Sequence, residues 1–401
     1  MALSNTDART DEKRVIELVD QLLAEHDPKG NKVAFLGAQF DLGLAWVHFP
    51  VGQGGLGLSP KVQRTIQERI ASGGGPQATP RNPLGIGMGG PVVATHGTPE
   101  QIDRWLRPMF TAEEFWCQLF SEPGAGSDLA GLATRAERDG DEWIVNGQKV
   151  WNSGAHLARW GMLVARTAPE QPKHKGLSYF IIDMETAGVE VRPLRQMTGQ
   201  AEFNEVYFTD ARVPDAYRLG DVGDGWRISL TTLMNERVMI GGSTTSRPGQ
   251  GTIGRAVKAW KAKGHDDPAV RDELMQLWVK AEVSRLTNIR AGQMRSVGVP
   301  GPEGSVGKIV AADLNKEITE FTMRLLGADG MLYPDTYTTH STERVAMTDR
   351  GDHAFFLRSR ANSIEGGTSE IMRNIIGERV LGLPGDVRVD KDLPWTEVPR
   401  S

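Results

Sequence analysis

Three stretches of this 401-residue chain carry residue types and spacings that could do chemistry. The first is Ser121-Glu122-Pro123-Gly124-Ala125-Gly126-Ser127-Asp128, followed by Trp151 and Ser153. Glu122 precedes a proline and so avoids helix, and the two glycines permit sharp turns and close backbone approach to a ligand. Alone, such a loop is as readily a tight connection, and a lone Trp is ordinarily a core aromatic. The second stretch holds Glu236, which shares a helical stripe of small or polar residues with Ser229, Thr232 and Ser243. A carboxylate there can accept a proton, although an isolated Glu on a helix is usually just solvated. The third runs Ser363-Ile364-Glu365-Gly366-Gly367-Thr368-Ser369-Glu370-Ile371, where Thr368 can cap the helix that follows.

The elements that must position these residues change character twice. Residues 11–25 carry Val15, Leu18, Val19, Leu22 and Leu23 at helical spacing; 35–44 and 61–71 read as further helices. Residues 48–59, punctuated by Pro50 and four glycines, read as an ordered loop, and the Gly/Pro-rich 71–91 as the flexible part of this half. Thr98-Pro99-Glu100-Gln101 has the form of a capping box, opening a helix expected to run to about Leu106 and stop at Pro108.

From Phe115 short β-like runs recur: 142–145, 161–165, 178–182, 189–192 and 205–208. Turn signals divide them, Asp139-Gly140 and Asn146-Gly147 above all, which predicts an antiparallel sandwich or barrel. Helical periodicity returns at 226–240, 267–297, 307–327, 342–360 and 368–381, with a tail over 384–401 expected to lie on a surface. The predicted domains are therefore 1–113 helical, 114–222 β and 223–383 a helical bundle: an α+β protein. The 267–297 helix has apolar residues on more than one side, Val283, Ile289 and Met294 among them, which predicts an oligomer.

Composition narrows the classes. A net charge of −5 argues against a nucleic-acid-binding surface, while a few local Arg residues would suffice for an anionic ligand. Cys117 is the only cysteine, so neither an intrachain disulfide nor a cysteine zinc cluster is expected. Residues 1–14 are polar, and no apolar run approaches the ~18 residues a membrane helix needs. The expectation is a soluble, cytoplasmic protein without membrane insertion.

The residue order of the Gly-rich loop, with Asn-Gly-x-Lys-x-Trp at 146–151, closely resembles the flavin-binding stretch of acyl-CoA dehydrogenases. The helix–strand–helix order extends that resemblance over nearly the whole chain. It implies an N-terminal α-helical domain, a middle β domain, a C-terminal four-helix bundle, and FAD as cofactor. It assigns Gln118, Phe120 and Ser121 to the flavin ring, Trp151 to its flank and Ser153 to the neighbourhood of N5. A reduced flavin gains electron density at N1 and O2 and a hydride at N5, so donors must be fixed there. Ser127 corresponds to a serine touching the coenzyme A portion of the substrate, while Glu122 and Asp128 are expected to hold the loop. The 363–371 stretch resembles the family's second signature, in which Gly367, Thr368 and residues just beyond, Glu370 among them, meet FAD. A backbone N–H there, at Gly366, polarises the substrate carbonyl.

Two departures matter. Anchored on Gly-Thr, the commoner catalytic Glu falls on Gly366, and Glu365 stands one place too early. A subset including the isovaleryl- and long-chain-type enzymes carries its base on a helix after the β domain, immediately before an Arg; Glu236-Arg237 fits that position. The resemblance thus implies Glu236 as base, Glu365 as fallback, and Arg237 near the coenzyme A arm, where a permanently charged donor suits phosphate or carbonyl oxygen. The second departure is that residues 254–267 and 324–330 lack the family's Arg-x-x-Phe-Gly and downstream Gln, which contribute to a neighbouring subunit's FAD.

The activity implied is α,β-dehydrogenation of an acyl-CoA thioester: a carboxylate removes the α-proton while the β-hydrogen leaves as hydride. Burial against substrate and flavin would raise that carboxylate's pKa. The electron acceptor implied is an electron-transferring flavoprotein, the setting fatty-acid β-oxidation, and the assembly a homodimer or homotetramer, with a hetero-oligomer as alternative. Two other readings keep the fold: a flavin monooxygenase or nitroalkane-type oxidase, and a non-catalytic partner subunit.

Overall fold

Val15, Val19 and Leu22 line one face of α1 (Asn5–Glu25), and burying them against Ile66 and Ile70 of α3 (Gln63–Ser72) and Phe35 of α2 (Lys32–Asp41) builds the first core. Each such side chain contributes roughly 1.5–3 kcal/mol when fully buried. The computed structural model describes residues 5–241, 247–264, 266–296, 303–332, 351–388 and 390–399. It divides into two compact units: Met1–Arg192, Phe203–Asn235 and Asp390–Ser401 in one, Pro193–Glu202 and Glu236–Val389 in the other.

Of residues 71–91, expected to be flexible, 71–80 are mostly exposed, whereas 82–90 are closely packed, where the glycines let other groups approach. A π-helical turn, Gly85–Gly89, leads into α4 (Gly90–His96), and a Cβ on Gly90 would lie 2.6 Å from the Trp46 ring. The Trp46 indole donates to the Ile86 carbonyl at 3.1 Å. Buried Asn82 donates to the carbonyls of Met109 (2.9 Å) and Glu114 (3.1 Å) and accepts the N–H of Trp116 (3.2 Å), fixing where the first strand begins. Helix α5 (Pro99–Thr111) opens on the expected capping box. It does not stop at Leu106. Pro108 deprives only one carbonyl of its partner so near the end, and buried Trp105, Leu106, Met109 and Phe110 hold the last turns down.

Strands β1 (Trp116–Leu119), β2 (Arg135–Asp139), β3 (Glu142–Lys149), β4 (Trp160–Arg166), β5 (Leu177–Asp183), β6 (Val189–Leu194), β7 (Phe203–Pro214) and β8 (Arg218–Leu219) form one sheet. Its path is β6-β7-β3-β2-β4-β5-β8, with β1 also on β4. The β2–β3, β3–β7, β4–β5 and β5–β8 ladders are antiparallel, whereas β1 runs parallel to β4. Leu163, Phe180, Ile182, Val145, Val206 and Phe208 are among its buried core residues. Of the two predicted turns only Asp139-Gly140 reverses the chain. Asn146-Gly147 lies inside β3 as a bulge, because Asn146 bonds Asp210 of β7 in both directions at 3.0 Å.

In the second unit α8 (Pro268–Ser296), α9 (Glu303–Leu326), α10 (Asp352–Ser359) and α11 (Ser369–Arg379) follow the expected helices, with α9 packed against the other three. The predicted 342–360 helix falls partly outside the described residues. Helix α7 (Thr252–Lys263) was not expected; its Ile253 and Ala256 share a core with Leu274, Leu277, Ile318 and Phe321. Helix α6 (Gly225–Gly241) carries Glu236. No helix among the described residues is long and apolar enough to cross a membrane.

Candidate active site

The Gly-rich loop is an excursion from a sheet edge. Strand β1 pairs with β4 from Trp116↔Trp160 to Leu119↔Leu163, the chain then leaves, and it returns to β4 at Arg135↔Arg166. The other edge of β4 is filled by β5 throughout, so β1 and β2 share one edge and residues 120–134 bridge them.

The start of this bridge is locked from below. Lys149, completely buried at the end of β3, donates to Glu122 Oε1 at 2.8 Å and to the Phe120 carbonyl at 2.9 Å. Glu122 also accepts the N–H groups of Ala133 (2.6 Å) and Thr134 (2.9 Å) at the loop's far end. Burial pulls the Glu122 carboxyl toward its neutral form; the Lys149 charge and these donors outweigh it and hold the group below the usual carboxylate range. Glu122 therefore closes the loop as a strut. Asp128 does the same further along, paired with Lys173 at 3.0 Å. A Cβ on Gly124 or Gly126 would meet nothing within 4 Å, so the crest of the loop is open to an approaching group.

Beside it, β3 ends in a second rigid element. The Val150 N–H donates to the Ser121 carbonyl at 2.8 Å, and Asn152 Nδ2 to the Gln118 carbonyl at 2.7 Å. Asn152 and Asn204 exchange backbone bonds at 3.0 and 3.1 Å, reinforced by Asn204 Nδ2 at 2.9 Å. This clamp forces Trp151 to φ 63°, a left-handed conformation rare for a bulky residue, and leaves the residue 56% exposed. An exposed, strained Trp is no core aromatic; strain held this firmly by neighbours is common at functional sites. Gln118, Phe120, Ser121, Trp151 and Ser153 are thus brought together. Among the described residues the Ser121 and Ser153 hydroxyls make no hydrogen bond, and Asn152 Oδ1 is buried without a partner. Two free hydroxyls, an orphaned acceptor, an exposed indole and an open glycine crest fit a flat, hydrogen-bonding ring such as a flavin. Asn152 and Asn204 were not anticipated as site residues; only the position of Asn152 between Trp151 and Ser153 hinted at it. Cys117, though adjacent, is fully buried, and burial pushes its thiol pKa up, which excludes it as a nucleophile.

On α6, Ser229 and Thr232 are buried rather than lining open space: Ser229 Oγ donates to the Gly225 carbonyl at 2.6 Å, and Thr232 Oγ1 lies 3.1 Å from the Tyr179 hydroxyl. Glu236, one turn on, is half-buried. The Arg237 side chain and Ser243 lie outside the described residues.

In the second unit the Glu365 carboxylate accepts from both Arg358 Nη atoms, Nη1 at 3.0 Å, and from Asn362 Nδ2 at 2.8 Å. Gly366 and Gly367 follow at φ 62° and 92°. Among the described residues no backbone carbonyl accepts the Gly366 N–H. Thr368 caps α11, its Oγ1 accepting the Ile371 N–H at 3.1 Å, which leaves the hydroxyl proton available. Glu370 is exposed beside Arg373. Arg255 pairs with Asp352 at 2.7 Å and stacks on Phe355, and Arg324, in place of the family's Gln, pairs with Glu273.

Three family models match in succession: acyl-CoA dehydrogenase N-terminal domain over residues 9–113, middle domain over 117–211 and C-terminal domain over 223–381. The acyl-CoA dehydrogenase IpdE1 of Mycobacterium tuberculosis is 38% identical over 86% of this chain and 86% of its own length. Acyl-CoA dehydrogenase FadE34 of the same organism is 40% identical over 86% of this chain, which spans only 45% of that longer protein. The crystal structure of the ChsE4–ChsE5 complex from Mycobacterium tuberculosis superposes with a TM-score of 0.69 at 28% identity, covering 96% of this chain and 100% of that one. The chain therefore belongs to the acyl-CoA dehydrogenase family of oxidoreductases.

Proposed function

We propose that this protein is an FAD-dependent acyl-CoA dehydrogenase with Glu236 as its base. The observation that carries the reading is the state of the 363–371 loop. Gly366 has no side chain to titrate, and the Glu365 carboxylate is already held by Arg358 and Asn362. Half-buried Glu236 then accepts the α-proton, while the Gly366 N–H stabilises charge developing on the thioester oxygen. The chemistry that bound FAD would supply here is a hydride acceptor for the β-hydrogen. Gln118, Phe120, Ser121, Trp151 and Ser153 hold its ring; Gly367, Thr368 and Glu370 hold another part of the cofactor. Ser127 and Arg237 bind the coenzyme A portion of the substrate.

Electrons pass on to an electron-transferring flavoprotein, within fatty-acid β-oxidation in the cytoplasm. The domain plan is 1–113, 114–222 and 223–383. Met275, Val279, Val283 and Leu286 form an exposed apolar stripe along α8, which supports assembly into a homodimer or homotetramer. A hetero-oligomer is the second reading, favoured by the likeness to the ChsE4–ChsE5 complex and by the internal engagement of Arg324.

The test is the visible spectrum of the purified chain after FAD addition and gel filtration, then anaerobic titration with acyl-CoA esters of different length and ring content. Retained flavin that at least one ester bleaches supports the reading. Complete loss of flavin on the column contradicts it for the chain alone.

A further inference from the structure

The Gly-rich loop is held at its second half by residues that follow it by more than two hundred positions. Lys173, 5% exposed, is shared by two carboxylates: both oxygens of Asp128 at 3.0 Å, and Asp390 at 2.5 Å. Arg166, 2% exposed at the end of β4, donates to the carbonyls of Ala130 (2.6 Å), Leu132 (3.1 Å) and Lys173 (3.2 Å). The Trp395 ring covers this guanidinium with its centroid 4.3 Å away, and its indole N–H donates to the Gly131 carbonyl at 3.1 Å. Backbone bonds from Trp395 to Gln171 (2.9 Å) and from Thr396 to Pro169 (3.2 Å) seat the segment.

Returning so distant a segment closes a long chain loop and immobilises a large side chain, both of which cost entropy. Its polar groups are directed at the loop and at the cations that grip it. Asp128, Ala130, Gly131 and Leu132 are all held, two of the grips being made or completed by Asp390 and Trp395. The loop's first half depends on Lys149 instead.

We infer that residues 390–396 form a strap that sets the Ser127–Leu132 half of the loop, with Asp390 and Trp395 as positioning residues for the coenzyme A end of the site. This rests on the acyl-CoA reading above. The strap acts on substrate binding and not on flavin binding, because Phe120, Glu122 and the Asn152 clamp are anchored independently of it.

The experiment compares Asp390→Ala, Trp395→Ala and Trp395→Phe in the full chain by two readouts. Hydrogen exchange at amides 127–132 is expected to accelerate in both Ala variants while 116–121 stay protected, and Trp395→Phe, which keeps the stacked ring, falls between. KM for the acyl-CoA ester is expected to rise about tenfold, the scale of one lost hydrogen bond, with kcat within about twofold and flavin content unchanged. Unchanged exchange at 127–132 overturns the strap. Faster exchange with unchanged KM, or with loss of flavin, overturns its assignment to the substrate end. If the wild-type chain accepts no acyl-CoA ester, the functional reading fails, and the exchange data alone decide whether the strap exists.

Discussion

Replacing Lys149 by Met keeps an apolar stem of similar reach and removes the ammonium, which isolates what the buried pair contributes. Two partners lose their donor: the Phe120 carbonyl and Glu122 Oε1. An orphaned buried carbonyl costs about 1–3 kcal/mol. Breaking a buried ion pair by removing one member costs about 3–5 kcal/mol in total, and the Ala133 and Thr134 donors that remain on Glu122 keep the figure from rising further. That is a large share of the 5–15 kcal/mol typical of folding. The pH dependence has a definite sign. In the wild type the Glu122 pKa is lowered, so its stabilisation is present above the ordinary carboxylate pKa of about 4.3 and is lost only as pH falls through the depressed value. Without Lys149 burial raises that pKa, so the variant is stabilised below the ordinary value and weakens as pH rises through the elevated one. The urea midpoint of Lys149→Met, followed by circular dichroism, should therefore fall further below wild type at pH 8 than at pH 5. Flavin retention should fall with it. A difference under about 1 kcal/mol, or one independent of pH, would refute the claim that this pair is the loop's strut.

Trp151→Gly suits the left-handed backbone at φ 63° and should leave the unfolding free energy from urea titration level or higher by up to about 1 kcal/mol, yet weaken flavin binding at least about tenfold by absorbance titration; a stability loss with unchanged flavin affinity would make Trp151 a structural residue. Val279→Asp with Val283→Asp places two charges on the exposed α8 stripe and should shift light scattering toward monomer, whereas an unchanged mass would put the interface elsewhere.

Much of the fold was legible because its helices bury one face: Val15, Val19 and Leu22 on α1, or Ile318 and Phe321 on α9, recur at helical spacing. What was misread depended on partners distant in sequence. Asn146-Gly147 looks like a turn until Asp210 draws it into a bulge. The glycines of 85–90 look flexible until Trp46 packs on Gly90 and Asn82 reaches Trp116. Pro108 looks like a helix stop until the burial around it is known. The site was legible as motif: the loop, Trp151, Ser153 and the Glu365-Gly366 displacement all stand in the linear order. Of its supports, Glu122 and Asp128 were legible as residues that hold the loop, but Lys149, Asn152, Asn204 and Trp395 owe their roles to contacts that no local pattern encodes.

Glu236 as base is tested by anaerobic flavin bleaching with a competent acyl-CoA ester in Glu236→Gln and Glu365→Gln. The Gln side chain keeps shape and hydrogen bonding but accepts no proton. Glu236→Gln should bind flavin normally and bleach slower by two or more orders of magnitude, about the cost of losing a general base, while Glu365→Gln stays within about tenfold of wild type. Wild-type bleaching in Glu236→Gln together with its loss in Glu365→Gln would contradict the claim and move the base to the 363–371 loop.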